Sequence, residues 1–220
     1  RVPIESSLHD AIEVMASQVA GSEFTEPLAA MLHETLDAAE SLSDWTARVL
    51  ARLFAGTPLV IFSPDLPAAR RIGAEIIARE LDDPLETTRL VNLQGVELAK
   101  LGFGTQVVKS ENECSFFLDV DGRRRKVIFE KGGFALPEEE QTLSGDEMRA
   151  ALETSPDRFS PNVALRCIVQ QRLFPVRAYV AGPGELAYWA QLRPVFERHG
   201  AEMPVVYPRA RALFTTTKLN

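Results

Sequence analysis

The residues best suited to ligand chemistry lie in the C-terminal third of this 220-residue chain. An apolar run at 176–181 is followed by Gly182-Pro183-Gly184-Glu185, and the residues after it have the spacing of an aromatic helix. A strand that breaks into glycine and leads directly into a helix leaves backbone N–H groups and the positive end of the helix dipole exposed. Open α/β sheets bind ligands at such strand ends. The turn therefore predicts a site for an anionic group.

Several polar side chains accompany this turn. Asn162, Arg166 and Gln170 are one helical turn apart, so they share a face of the helix predicted at 163–171. Asn162 either caps that helix or belongs to the polar face. Glu185 is favourable at a helix start without any function, yet its carboxylate is also suited to binding a substrate amine. Both alternatives remain open from the sequence.

Arg209 follows the last apolar run, 204–207, and is therefore predicted at the carboxyl end of a second strand. Tyr188 is the aromatic residue of the following helix that can reach the crevice, whereas Trp189 is predicted to pack in the core. The predicted substrate-binding set is Asn162, Arg166, Gly182, Pro183, Gly184, Glu185, Tyr188 and Arg209.

The charge distribution favours the same end of the chain. The protein has a net charge of −7, but residues 158–220 contain nine Lys/Arg against three Asp/Glu. This asymmetry indicates an anionic ligand or an acidic neighbouring surface near the C-terminal third, or simply solvated charges on helix faces. An acidic chain is poorly suited to nucleic acid, and no apolar run approaches the ~20 residues that span a bilayer.

Familiar catalytic signatures are absent from the sequence. The three histidines are isolated, so spacing predicts neither a metal site nor a catalytic triad, and no catalytic residue is assigned. There is no Walker loop and no complete Gly-x-Gly-x-x-Gly motif. Cys114 and Cys167 are far apart, which is typical of structural thiols in the reducing cytoplasm.

The hydrophobic pattern predicts an α/β fold with a parallel sheet. Residues 5–55 have helical periodicity. The apolar run 59–62 precedes an amphipathic helix, and right-handed crossovers would place 59–62, 176–181 and 204–207 in one parallel sheet. Residues 105–136 instead alternate around Asp121-Gly122, which predicts an antiparallel meander. The basic run 123–126 is predicted on an exposed edge strand. The predicted organisation is a helical segment, 1–55, an α/β core, 56–101 with 142–220, and a β-rich insertion, 102–141.

Three motifs make the chain recognisable: Ser160-Pro161-Asn162-Val163-x-x-Arg166, Tyr179-Val180-Ala181-Gly182-Pro183-Gly184-Glu185-x-x-Tyr188-Trp189-Ala190-x-Leu192, and Met203-Pro204-Val205-Val206-x-Pro208-Arg209. They closely resemble the bacillithiol-synthesis cysteine ligase family, BshC. The resemblance covers roughly residues 45–210, and residues 1–45 match only in helical character.

This resemblance implies a Rossmann-like core, a C-terminal coiled coil that mediates homodimers, and cytoplasmic function. It implies a reaction that joins cysteine to glucosaminyl-malate, with the cysteine carboxylate activated by ATP or another nucleotide. The chain is expected to be a central fragment that lacks the N-terminal half of the core and the C-terminal coiled coil, and to be inactive alone. Two rival functions remain: another α/β group-transfer enzyme acting on a nucleotide or sugar phosphate, and a non-catalytic ligand-binding or assembly module.

Overall fold

The computed structural model describes residues 2–212, which divide into two compact units, one before and one after the Pro64–Asp65 bond. Lys218, counted in the basic C-terminal segment, lies outside the described residues. The first unit contains α1 (Ser7–Gln18), α2 (Thr25–Asp37) and α3 (Leu42–Leu53). Its small core is formed by Ile12, Ala29 and Leu36. The helical character predicted for 5–55 is confirmed.

The predicted strand at 59–62 is wrong. These four residues have no regular secondary structure, and all four side chains are exposed. A strand exists only where its N–H and C=O groups pair with a neighbour, and no strand among residues 2–212 pairs with this run.

The second unit contains all the strands that the structure describes. Its helices are α4 (Pro67–Asp82), α5 (Glu86–Lys100), α6 (Gly145–Thr154), α7 (Val163–Leu173), α8 (Pro183–Gln191) and α9 (Arg193–His199). Its strands are β1 (Glu113–Val120), β2 (Arg123–Glu130), β3 (Gly133–Leu136), β4 (Gln141–Leu143), β5 (Phe159–Pro161), β6 (Ala178–Ala181) and β7 (Val205–Pro208). Within the described residues, no helix is long and apolar enough to cross a membrane.

The main sheet is antiparallel and not parallel as predicted. Its five strands have the order β4-β3-β2-β1-β5, and every neighbouring pair is antiparallel. Asp121 and Gly122 both have positive φ, the conformation of a two-residue hairpin turn, so the predicted hairpin is confirmed. The basic run lies on β2 as expected, but β2 is an inner strand, because β3 pairs with its second side.

The segment at 105–108 was predicted as the first strand of the meander, and it is not a strand. Its backbone is satisfied by a side chain instead. The fully buried Gln191 amide accepts from the Gln106 and Val107 N–H groups at 3.0 and 2.8 Å and donates to the Val107 carbonyl at 2.8 Å. Because one amide replaces a partner strand here, the hydrophobic pattern alone misassigned the segment.

Parallel pairing in the described residues is confined to β6 and β7. Ala178 pairs with Val205 and Ala181 pairs with Pro208, so both strands end at the same edge. The helix predicted from 186 to 198 begins earlier, at Pro183, and is interrupted at Leu192. Pro194 cannot donate to an i−4 carbonyl, so it occupies the first turn of a new helix.

Two hydrophobic cores share α4. Ile77 packs with Phe116, Phe134 and Phe159 beneath the antiparallel sheet. Its neighbour Ile76 packs with the second cluster, which lies beneath β6 and β7: Val91, Ala164, Leu165, Cys167, Ile168, Val169, Trp189, Leu192, Val195 and Phe196. Adjacent positions of one helix therefore support the two sheets.

Candidate functional site

The Gly-Pro-Gly turn lies at the carboxyl end of the parallel pair. Gly182 is buried and extended (φ −72°, ψ 170°), and α8 begins at the next residue. The Arg209 N–H donates to the Ala181 carbonyl at 2.7 Å, which fixes the chain just after β7 against the end of β6. The Arg209 guanidinium lies over Gly182: a Cβ at that position would be 3.0 Å from Nη2. A side chain at this position would therefore require the guanidinium to shift by a few tenths of an ångström.

Glu185 folds back over the start of its own helix. Its Oε1 accepts from the Tyr179 hydroxyl at 2.6 Å, and its Oε2 accepts from the Gly182 N–H at 2.7 Å. The Tyr179 hydrogen bond is the main cause that lowers the pKa of Glu185, followed by the Gly182 N–H and the charges of Arg209 and Arg166. The carboxylate is therefore held ionised and in a fixed position, with lone pairs remaining for an incoming donor.

Two tyrosines surround this carboxylate. Burial is the main cause that raises the pKa of Tyr179 and of Tyr188. The Tyr179 ring packs on Trp189, with ring centroids 4.6 Å apart. Sequence reasoning included Tyr188 and omitted Tyr179. The missed signal was strand alternation, because Tyr179 and Val206 are the inward residues of β6 and β7.

Asn162 serves as the cap of α7. Its Oδ1 accepts from the N–H groups of Ala164 and Leu165 at 3.0 and 3.3 Å, and its own N–H donates to the Ser115 carbonyl at 2.9 Å. Arg166, one turn later, is exposed, and its charge acts on Glu185 and Tyr188. The structure thus brings Arg166, Gly182, Glu185, Tyr188 and Arg209 together, whereas the Asn162 amide oxygen is committed to the helix.

The predicted arginines lie near Glu185 but form no salt bridge in the described part of the chain. Within residues 2–212, neither Arg166 nor Arg209 has a carboxylate oxygen within 4.0 Å. Pro183 has no N–H and the Gly182 N–H is occupied by Glu185, so the turn offers fewer free amide groups than a phosphate loop. Its own carboxylate lies where a phosphate would bind. The turn is therefore a poor fit for a nucleotide polyphosphate.

The remaining candidates are structural. In the basic run, Arg124 donates to Ser160 Oγ and to the Pro161 carbonyl and stacks on Phe117. Arg125 pairs with Glu138 and Glu139, and Lys126 pairs with Glu113. Burial raises the pKa of the Cys114 and Cys167 thiols to about 12, so both are poor nucleophiles. No group of three His, Cys, Asp or Glu suited to a metal occurs in the described part of the chain.

A family model and individual relatives both relate this chain to the same protein family. A family model described as "Bacillithiol biosynthesis BshC, N-terminal Rossmann-like domain" matches residues 1–210, so the match includes the N-terminal helices. Proteins named "Putative cysteine ligase BshC" are 33% identical over 95% of this chain in Prosthecochloris aestuarii, 36% over 94% in Symbiobacterium thermophilum, and 30% over 100% in Salinibacter ruber.

These relatives are considerably longer than the chain. The aligned region covers 37% of the Prosthecochloris protein and 40% of the other two. The model that matches describes an N-terminal Rossmann-like domain, which agrees with the mixed α/β composition and with the glycine turn at the end of β6. The chain belongs to the BshC family.

Proposed function

We propose that this chain is part of an amide-forming ligase that adds cysteine to glucosaminyl-malate in the last step of bacillithiol biosynthesis. Its contribution is the site at the carboxyl ends of β6 and β7. We further propose that the complete protein acts in the cytoplasm as a homodimer, joined through a C-terminal coiled coil, and that the chain alone is inactive. Family membership supports the class of reaction, and the charges around Gly182 support the class of ligand.

One observation carries the ligand assignment: two unpaired guanidinium groups, Arg166 and Arg209, lie around one glycine turn. The malate half of glucosaminyl-malate has two carboxylates, and arginine binds a carboxylate through two parallel N–H···O bonds. We assign Arg166 and Arg209 to these carboxylates. Because the Arg209 guanidinium already lies over Gly182, little of its side-chain entropy is lost when the dianion binds.

Glu185 is the group that we assign to the acceptor amine. Its two oxygens are held by Tyr179 and Gly182, so the carboxylate keeps one orientation while it accepts a hydrogen bond from the amine nitrogen. Amide formation also requires activation of the cysteine carboxylate, and we propose ATP or another nucleotide as the co-substrate that supplies it. The poor fit of the Gly182 turn to a polyphosphate indicates that such a co-substrate binds elsewhere in the protein.

The test is an assay of the complete protein with cysteine, glucosaminyl-malate and ATP, in which bacillithiol is followed by mass. Arg166→Gln and Arg209→Gln should each raise KM for glucosaminyl-malate about tenfold or more, since each removes a charge-assisted pair. KM for cysteine should change little. Arg193→Gln is the matched control, because Arg193 is exposed and already paired with Glu197 at 3.1 Å.

Two results would contradict the proposal. Unchanged KM for glucosaminyl-malate in both arginine variants would remove these residues from the acceptor site. Turnover of a sugar phosphate or nucleotide in place of glucosaminyl-malate would instead favour the group-transfer alternative.

A further inference from the structure

A concave site lies at the end of the parallel pair opposite the Gly182 turn. The cavity has a volume of about 400 Å³ and is bounded by α4, α7 and the segments that lead into β6 and β7. Pro175 and Glu202, two of its lining residues, precede these strands by three residues each, so the cavity lies at their amino ends. Four-residue strands span on the order of 13 Å. The cavity is therefore separate from the Gly182 turn.

The floor of the cavity is apolar. Ile76 of α4 and Ile168 of α7 contribute to it, and their side chains are 5% and 1% exposed. Pro175 and Ala201 extend this surface along the wall. Small-molecule sites have volumes of roughly 300–1,000 Å³ and combine such surfaces with a few polar groups. The size and lining match a ligand with a small aliphatic body.

The charged groups at the rim neutralise each other, with one exception. Glu75 pairs with Arg172 at 3.3 Å, and Glu202 pairs with Arg177 at 3.5 Å. Arg79 has no carboxylate within 4.0 Å in the described part of the chain, and its Nη1 donates only to the His199 carbonyl, at 3.2 Å. Arg79 is thus the one lining residue whose positive charge is uncompensated within residues 2–212. Its remaining guanidinium N–H groups are available to a ligand.

His199 supplies a second polar group. The residue lines the cavity and is 7% exposed, and both ring nitrogens are buried without a hydrogen bond. Its Nε2 lies 3.2 Å from Oε1 of Glu80, a fully buried carboxylate that accepts from Thr87 at 2.8 Å. This contact places one edge of the imidazole against Glu80, and Nδ1 has no hydrogen-bond partner among residues 2–212. A buried polar atom in this state is costly unless a ligand or water satisfies it.

We propose that this cavity binds a small carboxylic acid with a branched aliphatic body. The carboxylate pairs with the Arg79 guanidinium, beside the wall that His199 contributes. The aliphatic body packs on Ile76 and Ile168. The ligand carboxylate neutralises Arg79. This site is independent of the function proposed for the Gly182 turn.

The experiment is a titration of the 220-residue chain with 3-methylbutanoate and, separately, with its uncharged amide, followed by protein NMR shifts at neutral pH and constant ionic strength. The acid should bind saturably and shift the His199 ring resonances. The amide should bind at least about tenfold more weakly, because it lacks the charge that pairs with Arg79.

Variants locate the binding. Arg79→Gln should lower the affinity for the acid about tenfold or more and leave the weak affinity for the amide unchanged. Arg172 lies on the same rim but is already paired with Glu75. The affinity of Arg172→Gln for the acid should therefore stay within about twofold of that of the unaltered chain. Arg209→Gln should have no effect, which separates this cavity from the Gly182 turn.

Any of three results would overturn the proposal: no saturable shift with the acid, equal affinity for acid and amide, or an equal loss of affinity for the acid in Arg79→Gln and Arg172→Gln. Unfolding curves of each variant identify any that do not fold. The comparison of acid with amide uses the unaltered chain, so it decides the question even if Arg79→Gln is unfolded.

Discussion

The antiparallel sheet and the parallel pair bury their strands to very different extents. All four residues of β3 are buried, and four of the eight residues of β1 are. By contrast, β7 has no buried residue, and Val180, Val205 and Tyr207 on the outer face of the pair are 59%, 68% and 64% exposed. Strands of parallel sheets are normally covered on both faces. The first sheet thus contributes mainly stability, and the second contributes the strand ends at which we propose the ligand site.

The position of α4 explains how one unit combines both roles. Ile77 packs against the antiparallel sheet, and Ile76 packs against the cluster beneath the parallel pair. Arg79 and Arg70, on the same helix, donate to carbonyls of His199 and Phe159 respectively. A rigid helix between two sheets allows the polar ends of the parallel pair to remain open without loss of the fold.

The largest effect is expected in the antiparallel core. Phe134 is 1% exposed and packs edge-on against Phe129. Phe134→Ala should reduce the free energy of unfolding by about 3–5 kcal/mol, because it removes apolar burial and leaves a cavity. Val180→Ala, on the exposed face of β6, should reduce the free energy of unfolding by less than about 0.5 kcal/mol. Urea unfolding measures both, and similar losses would show that the two sheets contribute equally.

A smaller effect is expected at Asn162, where β5 of the antiparallel sheet leads into α7. Asn162→Ala should cost about 0.5–2 kcal/mol, because two N–H groups of the first helical turn lose their acceptor. Asn162→Ser retains a capping oxygen and should recover most of the loss. If Asn162→Ala matched the unaltered protein in urea unfolding, the cap assignment would be incorrect and Asn162 would be available to a ligand.

A pH-dependent effect is expected at the parallel pair. The lowered pKa of Glu185 means that its contribution to stability is present above the unfolded pKa, about 4.3, and is lost as pH falls through the folded value. Tyr179→Phe removes the main cause of this shift. At pH 7 the free energy of unfolding of Tyr179→Phe should be lower than that of the unaltered protein, by less than the loss in Asn162→Ala. The difference between Tyr179→Phe and the unaltered protein should become smaller in acid. Tyr207→Phe, at an exposed tyrosine, is the control.

Carboxyl titration by NMR gives an independent measurement of the same effect. The pKa of Glu185 should rise toward its ordinary value in Tyr179→Phe and remain unchanged in Tyr207→Phe. A loss of stability in Tyr179→Phe that is equal at pH 7 and in acid would attribute it to packing against Trp189 and not to the carboxylate.

The smallest expected effect is a difference in alkylation rate between one cysteine thiol in each region. Cys114 belongs to the antiparallel core and Cys167 to the core beneath the parallel pair, and burial raises both pKa values to about 12. Iodoacetamide at pH 8 should therefore modify both slowly in the folded protein. In the single-cysteine variants Cys114→Ala and Cys167→Ala, the remaining Cys167 should react before the remaining Cys114, since less buried structure protects it. The reverse order would contradict the comparison.

Local features were predictable because neighbouring residues determine them. The capping box of Ser144 and Glu147, the positive φ values at Asp121 and Gly122, and the helix after Asn162 follow from short-range hydrogen bonding and backbone sterics. The family resemblance likewise depended on contiguous motifs. The proximity of Arg166, Glu185 and Arg209 was predicted from the expectation that parallel strands end at one edge.

Features that depend on distant partners were not predictable. An apolar run at 59–62 has strand composition, but pairing depends on a neighbour, and the sequence cannot show whether one is present. Gln191 replaces a partner strand for 105–107 across more than eighty residues. His9 and His33 seemed isolated by spacing, yet their rings stack and the two Nδ1 atoms lie 2.8 Å apart.

The sequence by itself therefore determined the N-terminal helices and the helix after Asn162, the hairpin turn, the family and the glycine turn beside two arginines, because each rests on local periodicity, backbone conformation or a contiguous motif. Only the tertiary structure decided that the main sheet is antiparallel, that Tyr179 holds Glu185, and that Arg79 and His199 line a cavity. These arrangements depend on which distant backbone groups pair and which side chains are buried together, and a linear pattern contains neither.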